Sequence, residues 1–90
     1  MVKKTKLFKS KERKNRADVS AFLHQMADKL AAGEVVFRRG SEELSVAIPE
    51  YVLLEVQVDD KPRRAKGMEH QLEIEIKWYD QEMGGPLELG

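Results

Sequence analysis

Apolar residues recur at helical spacing in the first third of the chain. They stand at i, i+3, i+4, i+7, i+8 and i+11, on one stripe of an α-helix: Val19, Phe22, Leu23, Met26, Ala27 and Leu30. Asn15 is the best N-cap candidate, since Asp18 stands three residues on and adds negative charge to the first turn. Gly33 supplies the left-handed residue that ends many helices. The pattern predicts a helix from about Arg16 to Ala32.

Residues 34–79 change to an alternation of apolar and polar positions, which is typical of strands with one buried face. Four strands are predicted: Glu34–Arg38, Glu43–Ile48, Tyr51–Val58 and Glu69–Tyr79. Arg39–Ser41 is a predicted turn, Pro49 ends the second strand because it lacks a backbone donor, and Asp59–Gly67 is a predicted polar hairpin loop. Alternate residues of the last strand are predicted to face inward: Leu72, Ile74, Ile76 and Trp78.

These elements predict an α+β fold. Short links between consecutive strands favour a meander of antiparallel hairpins, and one helix stripe can cover one apolar sheet face. We therefore expect a two-layer sandwich, with one amphipathic helix packed on an antiparallel sheet of 4–5 strands in the order (β)αββββ. The optional first strand is Lys4–Ser10 at the sheet edge, with Leu7 or Phe8 inward. Residues 1–79 are predicted to form a single domain with a basic N-terminal arm, and residues 80–90 a flexible tail.

The order of these elements resembles a known family. The segments LFKS at 7–10, FLHQMADKLAAGEV at 22–35, RRGSEELSVAIPE at 38–50 and LEIEIKW at 72–78 are similar to the amphi-Trp domain, a small family of bacterial and archaeal proteins. The family takes its name from an amphipathic pattern and a near-terminal tryptophan, here Trp78. The resemblance covers about four-fifths of the chain, implies the fold class and implies no particular activity.

Charge is distributed unevenly, although the formal net charge of the 90 residues is zero. Residues 1–16 contain eight basic residues and one acidic residue, net +7, which leaves −7 over residues 17–90. A basic end of this kind either contacts nucleic acid or another anionic surface, or pairs with the molecule's own acidic sheet. The chain has no cysteine, no apolar run long enough to span a membrane, and no apolar segment that would make its basic start a secretory signal. The cytoplasm is the predicted location, and no membrane partner is expected.

No group of residues has the pattern of a catalytic or metal site. Glu73 and Glu75 stand two apart on one strand, but the alternation places them on a solvated face beside Lys77. The one potential metal ligand that follows His24 by a helical turn is Asp28, and these two residues make at most half of a metal site. No serine stands in a strained elbow motif, and no glycine-rich loop opens a helix. We therefore predict no catalytic residue, no metal ligand, no cofactor and no enzymatic activity.

Two basic clusters and one tryptophan are the candidate binding residues. The first cluster is the basic arm, residues 3–16, and the second is the tip of the predicted hairpin: Lys61, Arg63, Arg64 and Lys66. Together they hold twelve of the sixteen basic residues, and they could follow a phosphate backbone if the fold brought them together. Trp78 either caps the core or, if it is exposed at the end of its strand, anchors a partner.

The leading functional hypothesis is a non-catalytic interaction module that binds another protein, or itself as a homodimer. The expected surface is an unpaired strand edge or the outward sheet face. That face is less polar than solvation requires, because it carries four apolar or aromatic residues: Val36, Ala47, Leu53 and Tyr79. The alternative hypothesis is weak electrostatic binding of nucleic acid by the basic arm and the hairpin tip. A third hypothesis is an enzyme subunit whose chemistry resides on another chain.

Overall fold

The computed structural model describes residues 3–81 and Leu89. It contains one helix and four antiparallel strands: α1 Arg16–Ala32, β1 Glu34–Arg39, β2 Glu42–Ala47, β3 Leu53–Arg63 and β4 Gly67–Lys77. The chain divides into two compact units, Met1–Glu50 and Tyr51–Gly90. The predicted α+β fold class is confirmed.

Helix α1 begins and ends where the sequence predicts, because both termini have local caps. The Asn15 Oδ1 accepts a hydrogen bond of 2.7 Å from the backbone N–H of Asp18, which satisfies one of the unpaired donors of the first turn. Gly33 follows the last turn with φ of 86°, and its N–H donates to the carbonyls of Lys29 and Leu30. Glycine adopts this left-handed conformation without strain, so the chain can reverse into β1 at this residue.

In the first unit, the β1–β2 hairpin packs one of its faces against the helix. Val35 lies opposite Val46, and Phe37 lies opposite Leu44, so these four side chains share a face. Val35 is only 5% exposed and is the single buried hydrophobic residue among those that the structure describes. The core of this unit is therefore small and centred on β1, the strand that contacts α1.

Only part of the apolar stripe of α1 is covered. Met26 and Leu30, in the C-terminal half of the stripe, are half-buried. Val19, Phe22 and Leu23, in the N-terminal half, are exposed. The half of the helix that follows the basic arm thus presents apolar side chains to solvent.

The predicted N-terminal edge strand does not form, since residues 3–15 are neither helix nor strand. The segment is nevertheless attached to β1 by side chains. The ring of Phe8 lies 5.5 Å from that of Phe37 and beneath the guanidinium of Arg39, which also donates a hydrogen bond of 2.6 Å to the carbonyl of Lys9. Of the two residues predicted to face inward, Phe8 is half-buried and Leu7 is exposed.

In the second unit, β3 and β4 form a long hairpin in which eleven residues of each strand pair from Leu53↔Lys77 to Arg63↔Gly67. The predicted polar loop over Asp59–Gly67 is therefore wrong, because the strands continue almost to the tip. Only residues 64–66 form the turn, and Gly67 follows it with φ of 74°. A three-residue turn followed by a left-handed glycine is a common way to close a β-hairpin.

The strands pair in two hairpins: within residues 3–81 the structure has two two-stranded sheets, β1–β2 and β3–β4. Each sheet joins strands that are consecutive in the chain, because hairpin pairing follows from the local turn. The exact predicted layout, a two-layer sandwich on one sheet of four to five strands, is not confirmed. The single domain predicted over residues 1–79 stays a prediction. Most of the predicted flexible tail, residues 82–88 and 90, lies outside the described residues.

Candidate interaction surface

One face of the β3–β4 hairpin is a ladder of apolar pairs. Even-numbered residues of the two strands share this face, because side chains alternate along a strand and directly paired residues point the same way. From the open end toward the tip the pairs are Leu54↔Ile76, Val56↔Ile74 and Val58↔Leu72, followed by Asp60↔His70 and Pro62↔Met68. We call the six residues of the first three pairs the apolar hairpin face.

The side chains of the apolar hairpin face are mostly exposed. Val56 is 57% exposed, Ile74 is 54% exposed and Leu72 is 68% exposed. The sequence predicted that Leu72, Ile74 and Ile76 face inward; Ile76 is half-buried, whereas Leu72 and Ile74 are exposed. The alternation itself is confirmed. What it could not specify is which element, on this chain or another, covers the apolar side.

Trp78 follows directly after β4, and 38% of its surface is exposed. This exposed fraction is intermediate between those expected for the two predicted roles. A tryptophan in a core is usually more deeply buried, and a tryptophan that anchors a partner is exposed before binding. In sequence, Trp78 continues the even-numbered apolar series of β4 one step beyond Ile76.

The opposite face of the hairpin is charged and holds a three-residue cluster. The Lys77 Nζ lies 2.8 Å from Glu55 Oε2 and 3.0 Å from Glu75 Oε2. Glu55 and Glu75 are directly opposed in the ladder, and like charges in that position repel each other unless a cation lies between them. The ammonium of Lys77 lowers the pKa of Glu55, and the two carboxylates raise the pKa of Lys77. The cluster is thus an ion-pair network on a solvated face, as predicted for Glu75 and Lys77.

The predicted basic tip is only partly available. The Arg63 guanidinium donates to Glu69 Oε1, with Nε at 3.3 Å and a terminal nitrogen at 3.0 Å. Arg64 and Lys66 stand in the turn, and within the described residues neither makes an ion pair. Lys61 lies opposite Glu69 on the same face as Arg63. An acidic residue thus stands beside two of the four basic side chains, which leaves Arg64 and Lys66 as the exposed cations of the tip.

A further polar pair, His70 and Asp60, lies toward the tip of the hairpin. In the part of the chain that the structure describes, no group of three or more His, Asp or Glu side chains could hold a metal ion. The His70 Nδ1 lies 2.7 Å from Asp60 Oδ1, and the two residues face each other across the hairpin. Both are exposed, so this pair closes the apolar hairpin face toward the tip and does not line a cleft.

A cavity of about 860 Å³ lies in the first unit between the N-terminal segment, α1 and β1. Arg39 is one of its polar lining residues, and its apolar lining consists of Phe8, Phe22, Met26, Val36 and Phe37. It is continuous with the uncovered half of the helix stripe through Phe22. The first unit therefore has an apolar surface of its own, with room for side chains from outside.

The outward residues predicted to form a partner-binding face are exposed. Val36 and Ala47 are exposed in the first unit, and Leu53 and Tyr79 in the second. They are fewer and more scattered than the paired residues of the apolar hairpin face, which the sequence prediction assigned to the core. The missed signal was in the sequence: four strands with alternating apolar residues offer more apolar surface than one seventeen-residue helix can cover.

No described helix is both long enough and apolar enough to cross a membrane. Comparison with curated proteins found no match, and neither did comparison with solved structures. The sequence model of the Amphi-Trp domain matches residues 1–89. That match covers the amphipathic strands and Trp78, the features that carried the resemblance in the sequence. The chain therefore belongs to the Amphi-Trp domain family.

Proposed function

We propose that this protein is a non-catalytic interaction module that binds protein through the apolar hairpin face. The observation that supports this most directly is the exposure of paired aliphatic side chains on one side of β3–β4, including Val56, Leu72 and Ile74. A contiguous exposed apolar patch is typical of a binding surface, whereas scattered single residues are not.

The energetics of a two-stranded hairpin support the same proposal. A hairpin alone is marginally stable in water, because its strands bury little apolar area against the entropy of ordering the chain. Covering the apolar side chains stabilises such a hairpin by roughly 25 cal/mol for each Å² removed from water. A protein that binds this face would therefore stabilise the hairpin as well as bind to it.

The chemistry of the described residues suits binding better than catalysis. The charged face carries ion pairs such as Lys77–Glu55 that neutralise its carboxylates, and the apolar hairpin face offers no nucleophile. We expect the module to act in the cytoplasm, a location that its lack of cysteine favours.

Site-specific photo-crosslinking in cells tests this proposal. A photoreactive phenylalanine analogue at position 56 should crosslink to protein, whereas the same analogue at position 57, on the charged face of the same strand, should give little product. The two positions are adjacent in β3 and differ in the face that they occupy. Equal crosslinking at both positions, or none at position 56, would contradict the proposal.

A second candidate function is weak nucleic-acid binding, and the exposed cations of the hairpin tip favour it. Arg64 and Lys66 make no ion pair among the described residues, and the basic arm carries net +7 over residues 1–16. Such binding would weaken steeply with salt, since it depends on release of counterions from phosphate. A labelled oligonucleotide should shift at low salt and lose the shift in a variant with Arg64→Glu and Lys66→Glu. No shift of the unmodified protein at low salt would exclude this function.

A further inference from the structure

We infer that the cavity between the N-terminal segment, α1 and β1 binds an apolar monocarboxylate, such as a medium-chain fatty acid. Its carboxylate lies at Lys9 and Arg38, and its hydrocarbon body lies against the phenylalanine rings. This ligand site goes beyond the proposed function and does not depend on it. All ten residues that line the cavity lie between positions 8 and 39, so the site is built within the first unit alone.

The apolar part of the cavity has the size of a small-molecule site, and its wall is held in place. Its volume of about 860 Å³ lies within the roughly 300–1,000 Å³ typical of ligand sites, which are lined mainly by apolar and aromatic side chains. The half-buried rings of Phe8 and Phe37 pack with centroids 5.5 Å apart. Arg39 lies 5.3 Å from the Phe8 ring centroid and donates to the Lys9 carbonyl. These contacts hold the N-terminal wall against β1, so the rings offer a preformed surface to hydrocarbon.

The polar part of the lining is basic, and some of its donors are unused. Three basic residues, Lys9, Arg38 and Arg39, line the cavity against one acidic residue, Glu12. Within residues 3–81, Lys9 Nζ has no ion-pair or hydrogen-bond partner, and Arg38 donates only through Nε, to Glu43. The Lys9 ammonium and the terminal nitrogens of Arg38 are therefore left for a carboxylate, which binds such cations through charge-assisted hydrogen bonds.

These groups favour a ligand that is both anionic and apolar. The Glu12 carboxylate already pairs with Lys14 Nζ at 3.3 Å, so a cationic ligand would meet positive charge without a free acid. An anion without an apolar part would leave the rings in contact with water. Covering them contributes roughly 25 cal/mol for each Å² removed from water. A monocarboxylate with a hydrocarbon chain satisfies both parts of the lining at once.

Titration of the full chain with octanoate, followed by two-dimensional amide NMR, tests the inference. Octanoate, kept below its micelle concentration, should give saturable shifts in residues 8–12 and in β1. Octanol has the same chain length without the charge and should bind at least about tenfold more weakly. Acetate has the charge without the chain and should give no saturable shift. No saturable shift with octanoate, or equal affinity for octanol, would overturn the inference. Shifts confined to β3–β4 would overturn it in favour of adsorption on the apolar hairpin face.

Two pairs of matched variants locate the ligand. Phe22 and Leu23 are 54% and 47% exposed on the same helix stripe, but of the two only Phe22 lines the cavity. Phe22→Ala should weaken octanoate binding at least about fivefold, and Leu23→Ala should leave it nearly unchanged. Lys9→Gln should weaken binding of octanoate and not of octanol, whereas Lys29→Gln, outside the lining, should affect neither. Equal effects within either pair would overturn the site.

Discussion

Val56 and Ile74 face each other directly across the β3–β4 ladder, and both side chains are more than half exposed. A cross-strand pair of β-branched residues is a favourable unit of sheet structure, but its main contribution comes from the apolar area that a neighbouring layer covers. In this chain the pair forms one apolar layer. The layer that covers it has to be a second apolar surface.

The first prediction concerns this pair. Ile74→Lys should weaken protein binding at the apolar hairpin face at least about tenfold, because a charge on that face would have to lose its hydration on contact. Gln57→Lys, on the opposite face, is the matched control and should leave binding nearly unchanged. The yield of photo-crosslinked product at position 56 measures both, and circular dichroism confirms that each variant keeps its secondary structure. Equal loss in the two variants would place the interface elsewhere.

The N-cap of α1 gives a prediction about stability. Asn15→Ala removes the acceptor for the Asp18 N–H and should lower the free energy of unfolding by about 1 kcal/mol. Asn15→Ser keeps a capping oxygen and should retain most of that stability. Chemical denaturation followed by far-UV circular dichroism measures the difference. A loss in the serine variant as large as in the alanine variant would mean that the cap contributes little.

The Glu55–Lys77–Glu75 cluster gives a prediction about pH. The pKa of Glu55 lies below its ordinary value of 4.5, first because Lys77 donates a hydrogen bond to it. Glu55 therefore contributes stability that is present above about pH 4.5 and is lost as the pH falls through its folded pKa. Lys77→Met should raise the pKa of Glu55 toward its ordinary value, as NMR titration of the carboxyl carbon would show. Lys61→Met removes a lysine of the same face outside the cluster and should leave that pKa where it is.

At the alkaline end, the sign of the pH dependence is reversed. The pKa of Lys77 is raised above 10.5 by hydrogen bonds from its ammonium to Glu55 and Glu75. Its contribution to stability is therefore fully present below pH 10.5 and is lost as the pH rises through the folded pKa. Urea unfolding midpoints measured between neutral and alkaline pH should fall in the unmodified protein and fall less in Lys77→Met. Parallel curves for the two proteins would contradict a stabilising role for this ammonium.

Trp78 is the only tryptophan of the chain, so the tryptophan fluorescence of the protein reports on the surroundings of this one side chain. With 38% of its surface exposed, Trp78→Ala should cost less than the roughly 3–5 kcal/mol typical of a fully buried tryptophan. Acrylamide should quench the indole in dilute protein. Emission that is blue and unquenched at every concentration would show that the ring is buried within one chain.

The parts of the fold that depend on neighbouring residues were predictable from the sequence. The bounds of α1 follow from Asn15 and Gly33, whose capping roles are local and can be recognised by residue type. The alternation of β3 and β4 likewise placed Val56 and Ile74 on one face. Each of these predictions needed only a few consecutive residues.

The parts that depend on distant partners were not predictable. The sequence predicted a loop from Asp59 to Gly67 because the residues are polar, but polar side chains pair well across a two-stranded hairpin, as His70–Asp60 and Arg63–Glu69 do. Alternation also identifies an apolar face without specifying what covers it. For that reason residues predicted as core became the candidate interaction surface.

The N-terminal segment illustrates the same limit. Residues 3–15 form no strand, and their lysines and lack of alternation do not favour one. The Phe8 ring nevertheless packs on Phe37 and under Arg39. This contact joins residues about thirty positions apart in the chain, which no local pattern reveals. Phe8→Ala should therefore increase amide hydrogen exchange in β1 more than Leu7→Ala, since Leu7 is exposed.

Among the described residues, the β3–β4 hairpin pairs with no third strand, and the side chains of the apolar hairpin face are mostly exposed. If a protein partner supplies the covering layer, the folded state of this half depends on mass action, and its melting temperature rises with the amount of partner present. The abundance of the partner would then set the fraction that is folded. A cell could regulate such a module through the level of the partner alone, because chains made in excess of it would keep the hairpin loose and open to proteolysis.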